Sequence, residues 1–468
     1  MARQRREYGC SDCGTAHPQW SGQCSGCGQW NTLVERSRSS AEPSSSTPRA
    51  SPQPIDQVPV NAALPHRCGI DELDRVLGGG LVTGSVTLIG GEPGIGKSTL
   101  LLQLLASWPS TALYVTAEES AEQVRQRAER LGAVRPDLWL LSETSVSSIV
   151  ASFDAVQPTI AVIDSIQTIG DPSLNSAAGS VVQVRGCAQI LAHEAKRRGI
   201  ALILVGHVTK DGSLAGPRVL EHLVDTVLTC EGERYHSLRV LRATKHRFGP
   251  TDELGLFTMT DRGLTGVPDA ASVFLGDRQA GVAGSAVVPT IEGRRPLVIE
   301  VQALTTPSPP HLPARRTVQG IDTNRLSLLL AVINQRTPLV VANHDVYVST
   351  VGGLRHLEPG LDLGVCLAIA SALTERSVTS TMVAIGEVGL GGEIRQVPHL
   401  TRRLTEAVRL GFREAIIPST AEVASIEGLA LIRVSTLAEA LVAADQEHLR
   451  TPVLGADLAN QKPGSTLG

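Results

Sequence analysis

Short apolar segments alternate with helix-forming segments through the middle of the chain. The apolar segments, which are typical of buried strands, are 85–89, 112–116, 138–140, 159–163 and 201–205. Helix-forming segments lie at 68–77, at 100–105, near 119–131 and near 181–198. This alternation predicts a mostly parallel sheet covered by helices, an α/β domain.

The pattern changes at about residue 270. Strand-like segments at 284–290, 296–304 and 346–350 are followed or separated by helical segments at 324–333 and 361–373. A chain of 468 residues also exceeds the size of a single core, so two or three domains are expected. Residues 37–61 are rich in Ser, Pro, Ala and Gln, which predicts a flexible linker.

Composition limits the compartment and the mode of contact. The net charge is −4, so any nucleic-acid binding depends on a local basic surface. Aromatic residues make up only 3%, so contacts with phosphates are favoured over base stacking. Neither a signal peptide nor a spanning segment is apparent, so we expect a cytoplasmic chain without disulfides. Four scattered cysteines are then expected to be buried as small apolar residues: Cys68, Cys187, Cys230 and Cys366.

Two C-x-x-C motifs stand close together near the start of the chain. Cys10 and Cys13 form the first, and Cys24 and Cys27 the second. Four thiolates at this spacing predict a closed tetrahedral Zn²⁺ site, which is structural because no ligand position stays open. A pair of redox dithiols is the alternative. Trp20 and Trp30 are expected to cover the metal site.

A phosphate-binding P-loop follows the strand at 85–89. It reads G-x-x-x-x-G-K-S, and a helix former follows it. Its backbone N–H groups would cradle the ATP phosphates at a helix N-terminus. Lys97 would reach the β- and γ-phosphates, and Ser98 would hold Mg²⁺. The predicted nucleotide contacts are Gly91, Glu92, Pro93, Gly94, Ile95, Gly96, Lys97, Ser98 and Thr99.

Three further polar residues follow predicted strands. Asp164 ends the strand at 159–163, where a carboxylate can bind the Mg²⁺ shell. Glu118 follows the strand at 112–116 and can orient and deprotonate the attacking water, a role for which we favour it over Glu119. His207 follows the strand at 201–205 and can sense the γ-phosphate, although a loop histidine without that role is the alternative.

Lys245 and Arg247 alternate on an extended segment, so both can project from one face. Two such cations can complete a neighbouring subunit's nucleotide site, as arginine fingers do, or hold DNA phosphates. A solvated ribbon face is the third reading. Arg185, Lys210 and Arg218 are further candidate contacts for DNA phosphates.

The segments 205–212, 214–222 and 245–249 resemble those of the bacterial RadA (Sms) family, which is similar to the RecA and DnaB motors. The cysteine motifs and the P-loop fit the same resemblance, which covers nearly the whole chain. It implies an ATP-driven DNA translocase, with loops facing a central channel and a site between subunits of a ring. One departure is His246, which replaces the asparagine of the family motif Lys-Asn-Arg-Phe-Gly.

The region after residue 269 resembles the proteolytic domain of Lon, which uses a serine with a lysine as its base. The serine position falls on Asp362 and the lysine position on Thr401, so we expect no protease activity. The region would instead assemble the ring, with possible DNA contacts through Arg315, Arg316, Arg402 and Arg403.

These inferences give a complete set of expectations. The domains are a zinc module (1–35), a linker (36–61), a RecA-like ATPase domain (62–268), a Lon-like α+β domain (269–450) and a disordered tail (451–468). The expected function is that of a DNA-dependent ATPase and helicase that promotes branch migration of RecA-made strand-exchange intermediates. An ATP-gated DNA clamp or recombinase mediator without translocation is the alternative. The expected cofactors are ATP, Mg²⁺ and Zn²⁺, and the partners are single-stranded and branched DNA and the RecA recombinase, with a homo-hexamer and no membrane.

Overall fold

The computed structural model describes residues 7–36, 54–57, 64–207, 217–232, 237–309, 311, 313–351 and 358–445. The chain divides into two compact units, Met1–Pro268 and Asp269–Gly468. Among the described residues, no helix combines the length and apolarity needed to cross a membrane.

The N-terminal segment of the first unit is a small ribbon. Its strands are β1 (Glu7–Cys10), β2 (Ala16–His17) and β3 (Leu33–Arg36). They pair antiparallel in the order β2-β1-β3. The buried apolar cluster of this ribbon consists of Cys10, Cys24 and Leu33, with Tyr8 packed against it. So small a core cannot hold thirty residues together, which leaves the cysteine ligands to stabilise the ribbon through a metal.

One large sheet forms the rest of the first unit. A separate pair of strands, β4 (Pro65–His66) and β5 (Leu81–Val82), precedes it in the chain. The strands of the large sheet are β6 (Val86–Gly91), β7 (Ala112–Thr116), β8 (Leu138–Ser142), β9 (Ile160–Asp164), β10 (Ala201–His207), β11 (Thr226–Glu231), β12 (Leu238–His246), β13 (Leu254–Thr260) and β14 (Gly263–Gly266). Within the described residues its order is β14-β13-β12-β11-β6-β10-β9-β7-β8. The six strands from β11 to β8 are parallel, and β12 to β14 extend the sheet antiparallel. The predicted mostly parallel sheet is thus confirmed.

Helices cover both faces of this sheet. They are α1 (Asp71–Val76), α2 (Lys97–Ser107), α3 (Ala121–Arg130), α4 (Val146–Val156), α5 (Val181–Arg198) and α6 (Pro217–Leu220). Successive residues of β6 point to opposite faces, so Leu88 packs in the core beneath α4 and α5, and Ile89 packs beneath α2. The four scattered cysteines, Cys68, Cys187, Cys230 and Cys366, are buried as expected.

The second unit is built from four-stranded and three-stranded sheets around a buried helix. Its elements are α7 (Ala271–Phe274), β15 (Ser285–Glu292), β16 (Arg295–Pro307), β17 (Arg316–Gln319), α8 (Thr323–Arg336), β18 (His344–Thr350), α9 (Asp362–Thr374), β19 (Met382–Ala384), β20 (Glu387–Val388), β21 (Ile394–Arg395), α10 (Leu400–Arg409), β22 (Glu414–Pro418), β23 (Ala430–Val434) and α11 (Leu437–Ala444). The sheets described run β15-β16-β18-β17 and β19-β22-β23, with a separate pair of β20 and β21.

Helix α9 is the centre of the second unit. Every residue from Asp362 to Ser371 is buried. A Cβ at Gly364 would lie 2.1 Å from Cγ2 of Val288 on β15, far inside van der Waals contact. Glycine therefore allows this helix to lie directly against the sheet.

Candidate functional site

The P-loop joins the end of β6 to the start of α2. Gly96, the residue before α2, has a φ of 113°, which a side chain would strain. The Nζ of Lys97 donates to the carbonyl oxygens of Gly91 at 2.8 Å and Glu92 at 3.0 Å. Ile95 is buried beneath the loop. Burial lowers the pKa of Lys97, and the nearby Cys230, Asp164 and Glu118 oppose that shift.

The carboxyl ends of four parallel strands meet at this edge of the sheet. Thr116 is paired in register with Asp164, and the last residue of β10, His207, is paired with Gly91. The side chain of His207 lies outside what the structure describes. The edge encloses a cavity of about 380 Å³. Of the predicted site residues, it is lined by Pro93, Gly94, Gly96, Lys97, Ser98, Thr99, Glu118 and Asp164.

The two neighbouring glutamates have different partners. Glu118 accepts a short hydrogen bond from the Ser165 hydroxyl. The carboxylate of Glu119 instead forms an ion pair with Nη2 of Arg127 at 2.6 Å. The pKa of Arg127 is raised, mainly by this hydrogen bond to Glu119. Glu119 is therefore paired with a cation of its own subunit.

Sequence reasoning missed Tyr114, Arg127 and Ser165. The Tyr114 hydroxyl donates to Oδ2 of Asp164 at 2.5 Å. Arg127 lies three residues after the buried Val124, and so on the inward stripe of α3. The position on the inward stripe is the signal for Arg127, and a tyrosine within a largely apolar strand is the signal for Tyr114.

Lys245 and Arg247 contact the turn before β11. The Nζ of Lys245 donates to the carbonyl oxygens of Glu221 at 2.5 Å and Val224 at 2.8 Å. Nη1 of Arg247 pairs with Oδ1 of Asp225 at 3.0 Å. Asp225 is buried and also accepts from the backbone N–H of Val86 and from Lys196.

The sheet register separates these two cations from the P-loop of their own subunit. Arg247 lies beside Asp225, whose backbone N–H donates to the carbonyl oxygen of Val86, the first residue of β6. The P-loop begins at the other end of this strand, at Gly91. Five residues along a strand span about 17 Å. The cation pair therefore lies at the opposite edge of the sheet from the cavity that holds Lys97 and Glu118.

The predicted DNA contacts are only partly described. Arg185 is exposed on α5. Lys210 lies outside the described residues, and the side chain of Arg218, on α6, is not described. Neither Arg185 nor the cation pair of Lys245 and Arg247 lines the nucleotide cavity.

The four N-terminal cysteines converge on one point. Their sulfur atoms all lie within 4.8 Å of one another. Burial raises the pKa of Cys10, but hydrogen bonds from Thr32 and from the backbone of Cys13 and Asp12 outweigh it and lower that pKa to about 6. Four converging sulfurs with a stabilised thiolate fit tetrahedral Zn²⁺.

The two tryptophans that the sequence predicts to cover this metal site are exposed. Trp20 is 57% exposed and Trp30 is 68% exposed. The ring of Trp30 lies beside Gly22. The ribbon therefore presents two large aromatic side chains to its surroundings.

The position of the Lon serine holds an ion pair. Asp362 is 2% exposed, and Arg325 contacts both of its carboxylate oxygens, with Nε to Oδ1 at 2.9 Å. Oδ2 also accepts from the N–H of Val388 at 3.0 Å. Thr401, at the lysine position, is exposed on α10. A carboxylate bound in this way is an acceptor for a guanidinium and has no hydroxyl to attack a peptide bond.

The proposed DNA contact through Arg403 is wrong. Arg403 is 2% exposed and pairs with Glu358 through both terminal nitrogens. Its Nε donates to the carbonyl oxygen of Pro398. This arginine is thus part of the core of the second unit and cannot reach a phosphate.

A P-loop at the carboxyl edge of a parallel sheet, with an acid at the end of a neighbouring strand, defines a RecA-like ATPase domain. Here it follows a four-cysteine zinc ribbon and precedes a Lon-like region. Family models agree: "ATPase: KaiC" matches residues 66–138, "Rubredoxin metal binding domain" matches 8–35, and "Subunit ChlI of Mg-chelatase" matches 346–421.

The chain belongs to the family of the DNA repair protein RadA. It is 48% identical to the protein of that name from Pseudomonas aeruginosa over 450 residues, which cover 94% of this chain and 99% of the relative. Identity to DNA repair protein RadA of Bacillus subtilis is 44% over 457 residues, with the same coverage. The match to the Halalkalibacterium halodurans protein is 45% over 427 residues, which cover 89% of this chain and 93% of the relative.

Proposed function

We propose that this chain is a DNA-dependent ATPase and helicase of recombinational DNA repair, which promotes branch migration of strand-exchange intermediates made by RecA. The relatives are named as DNA repair proteins, which supports a role on DNA. The observation that carries the motor part of the proposal is that the cavity residues and the cation pair lie at opposite ends of the strands of the sheet. A site divided in this way is completed only by a second subunit.

The residues around the cavity have complementary roles in ATP hydrolysis. Lys97 exchanges the carbonyl oxygens of its own loop for β- and γ-phosphate oxygens. Ser98 and Asp164 hold Mg²⁺, which when bound neutralises charge that develops on the phosphates. Glu118 orients and deprotonates the attacking water, and Ser165 fixes that carboxylate before the nucleotide binds.

The cation pair acts on a neighbouring subunit's nucleotide. Lys245 and Arg247 cannot reach the P-loop of their own subunit, but the edge on which they lie can face the next copy in a ring. A head-to-tail interface that closes gives a ring, and we propose a homo-hexamer. Lys245 and Arg247 also contact the 221–225 turn of their own subunit. This turn lies shortly after the 208–216 segment, which contains Lys210, so hydrolysis in the neighbour can be linked to that part of the chain.

DNA contact is assigned to the channel side of such a ring. Arg185, Lys210 and Arg218 would bind phosphates of single-stranded DNA, because a chain of net charge −4 must gather its basic contacts locally. Arg185 is exposed on α5, Arg218 belongs to α6, and Lys210 lies outside the described residues. Binding through phosphates predicts low sequence preference and strong salt dependence.

The zinc ribbon would dock the RecA recombinase. Its metal site is closed, so the ribbon does no chemistry of its own, and Trp20 and Trp30 remain exposed for contact. A Cys10→Ser chain should lose zinc and lose stimulation of RecA-dependent strand exchange. ATP turnover on DNA without RecA should persist, and retention of full RecA-dependent activity would contradict the assignment.

The decisive experiment measures ATP turnover with and without single-stranded DNA, together with strand displacement on a forked duplex. We expect DNA to stimulate turnover and ATP to drive displacement. Lys97→Ala should abolish both activities and leave a folded protein. A protein that turns over ATP without any response to DNA would contradict the proposal, and branch extension by Lys97→Ala would identify a clamp that does not translocate.

A further inference from the structure

A buried phenol lies behind the predicted magnesium ligands. Tyr114, on β7, is 1% exposed, and its hydroxyl donates to Oδ2 of Asp164 at 2.5 Å. Asp164 is one of the two residues to which the Mg²⁺ shell is assigned, and it lines the same cavity as the other, Ser98.

The sheet register places the phenol there. Strands β7 and β9 are parallel neighbours, with Thr116 opposite Asp164 and Tyr114 opposite Val162. Tyr114 therefore lies two residues before the level of Asp164, and side chains two residues apart on a strand share a face. A tyrosine in this position reaches along the sheet to the acid at its edge.

This hydrogen bond fixes the carboxylate. Within the described part of the chain, Tyr114 is the side chain that donates to Asp164, and the bond occupies Oδ2. Oδ1 of Asp164 accepts no hydrogen bond from the described residues, and Asp164 lines the cavity. Oδ1 is therefore available to the Mg²⁺ shell.

We propose that Tyr114 is a positioning residue that holds Asp164 in the orientation that binds Mg²⁺ with the nucleotide. The inference rests on the nucleotide chemistry proposed above and on no property of DNA. Hydrogen-bonding partners of metal ligands typically contribute 10- to 100-fold in metal affinity. Loss of the hydroxyl should therefore weaken the use of Mg²⁺ and leave the phosphate contacts of the P-loop in place.

Tyr114→Phe removes the hydroxyl and keeps the ring. We expect the half-saturating Mg²⁺ concentration, for binding of a fluorescent non-hydrolysable ATP analogue, to rise about tenfold. ATP turnover should approach the wild-type rate at saturating Mg²⁺, and analogue binding in EDTA should not change. Tyr114→Met, which also fills an apolar site, repeats the test if the Phe variant unfolds.

A matched control separates this role from general stability. Thr159→Val, directly before β9, removes the acceptor of a different buried aromatic donor, Nε1 of Trp108 at 2.9 Å. It should not alter the Mg²⁺ dependence. In an Asp164→Ala background, Tyr114→Phe should have no further effect, since the two residues act as a unit.

An unchanged Mg²⁺ dependence in folded Tyr114→Phe and Tyr114→Met would overturn the proposal. So would an equal loss at every Mg²⁺ concentration, which indicates a purely structural role. Both measurements are made without DNA, so a failure of DNA stimulation would count against the proposed function and leave this inference standing.

Discussion

At the scale of single residues, the partner of each charged group decides what that group can do. Glu118 and Glu119 are adjacent in sequence and both line the same cavity. One accepts from the Ser165 hydroxyl, and the other is paired with Arg127. The ion pair therefore holds Glu119 against α3, whereas the hydrogen bond from Ser165 holds Glu118 beside the carboxyl end of β9.

We expect Glu118→Gln and Glu119→Gln to differ in kind. Loss of a general base typically lowers turnover by about 10²- to 10⁴-fold, which is the loss expected for Glu118→Gln, with nucleotide binding retained. Glu119→Gln should give a smaller loss, because only an ion pair to Arg127 is weakened. Phosphate release under single-turnover conditions measures both. Equal losses in the two variants would contradict the assignment.

His246 is the residue at which this chain departs from the family motif. Its Nδ1 lies 2.9 Å from the Thr226 hydroxyl, and its ring packs edge-on against Phe248. Burial lowers the pKa of His246, and a backbone contact with Leu77 partly opposes this. As pH falls below about 6.5, the unfolded chain takes up a proton that the folded histidine still resists, so folding weakens.

His246→Asn should therefore reduce the acid sensitivity of the fold. Between about pH 7.5 and pH 5.5 the wild-type Tm should fall more than that of the variant, because asparagine binds no proton in this window. His193→Asn, at an exposed position on α5, is the control and should keep the wild-type pH dependence. Parallel Tm curves for the wild type and His246→Asn would show that His246 does not contribute.

At the scale of elements, local signals predicted helices and strands better than they predicted contacts between them. Helix α5 was expected near 181–198 and spans Val181–Arg198, since Ser180 caps its start and Gly199 ends it. Helix α3 begins later than expected, at Ala121, because Ser120 and Gln123 form a capping box. By contrast, no local pattern marks Arg403 as a core residue, because its partner Glu358 is distant in sequence.

Helix α9 tests how closely an element can pack. Gly364→Ala places a methyl group against Val288, and overpacking of this kind typically costs about 1–3 kcal/mol of unfolding free energy. Combined with Val288→Ala, the loss should be smaller than the sum of the two single losses, because the clash is removed. Urea unfolding of the four proteins measures this. Gly170→Ala, where a Cβ meets nothing within 4 Å, should be nearly neutral.

At the scale of the whole molecule, the P-loop, the four cysteines and the alternation of strands were sufficient to predict the order of folded regions. The same sequence could not show which edge of the sheet carries each functional group. That depends on the pairing of β6 with β11, which are far apart in the chain, and on the pairing of β11 with the next strand, β12. Only this pairing reveals that Arg247 and Lys97 lie at opposite edges.

Mixing two inactive chains tests whether the site is shared between subunits. Glu118→Gln lacks the base and keeps the cation pair, and Arg247→Ala has the reverse defect. In a mixed ring, an Arg247→Ala nucleotide site that faces a Glu118→Gln neighbour is complete, and random assembly from equal amounts makes about one quarter of interfaces complete. ATP turnover should therefore reappear on mixing.

A mixture of Glu118→Gln with Lys97→Ala should stay inactive, because both lesions lie in the same cavity. The sheet register keeps Arg247 from the P-loop of its own subunit. If the first mixture stays inactive although its rings exchange subunits, Arg247 does not act at the neighbour's nucleotide site either.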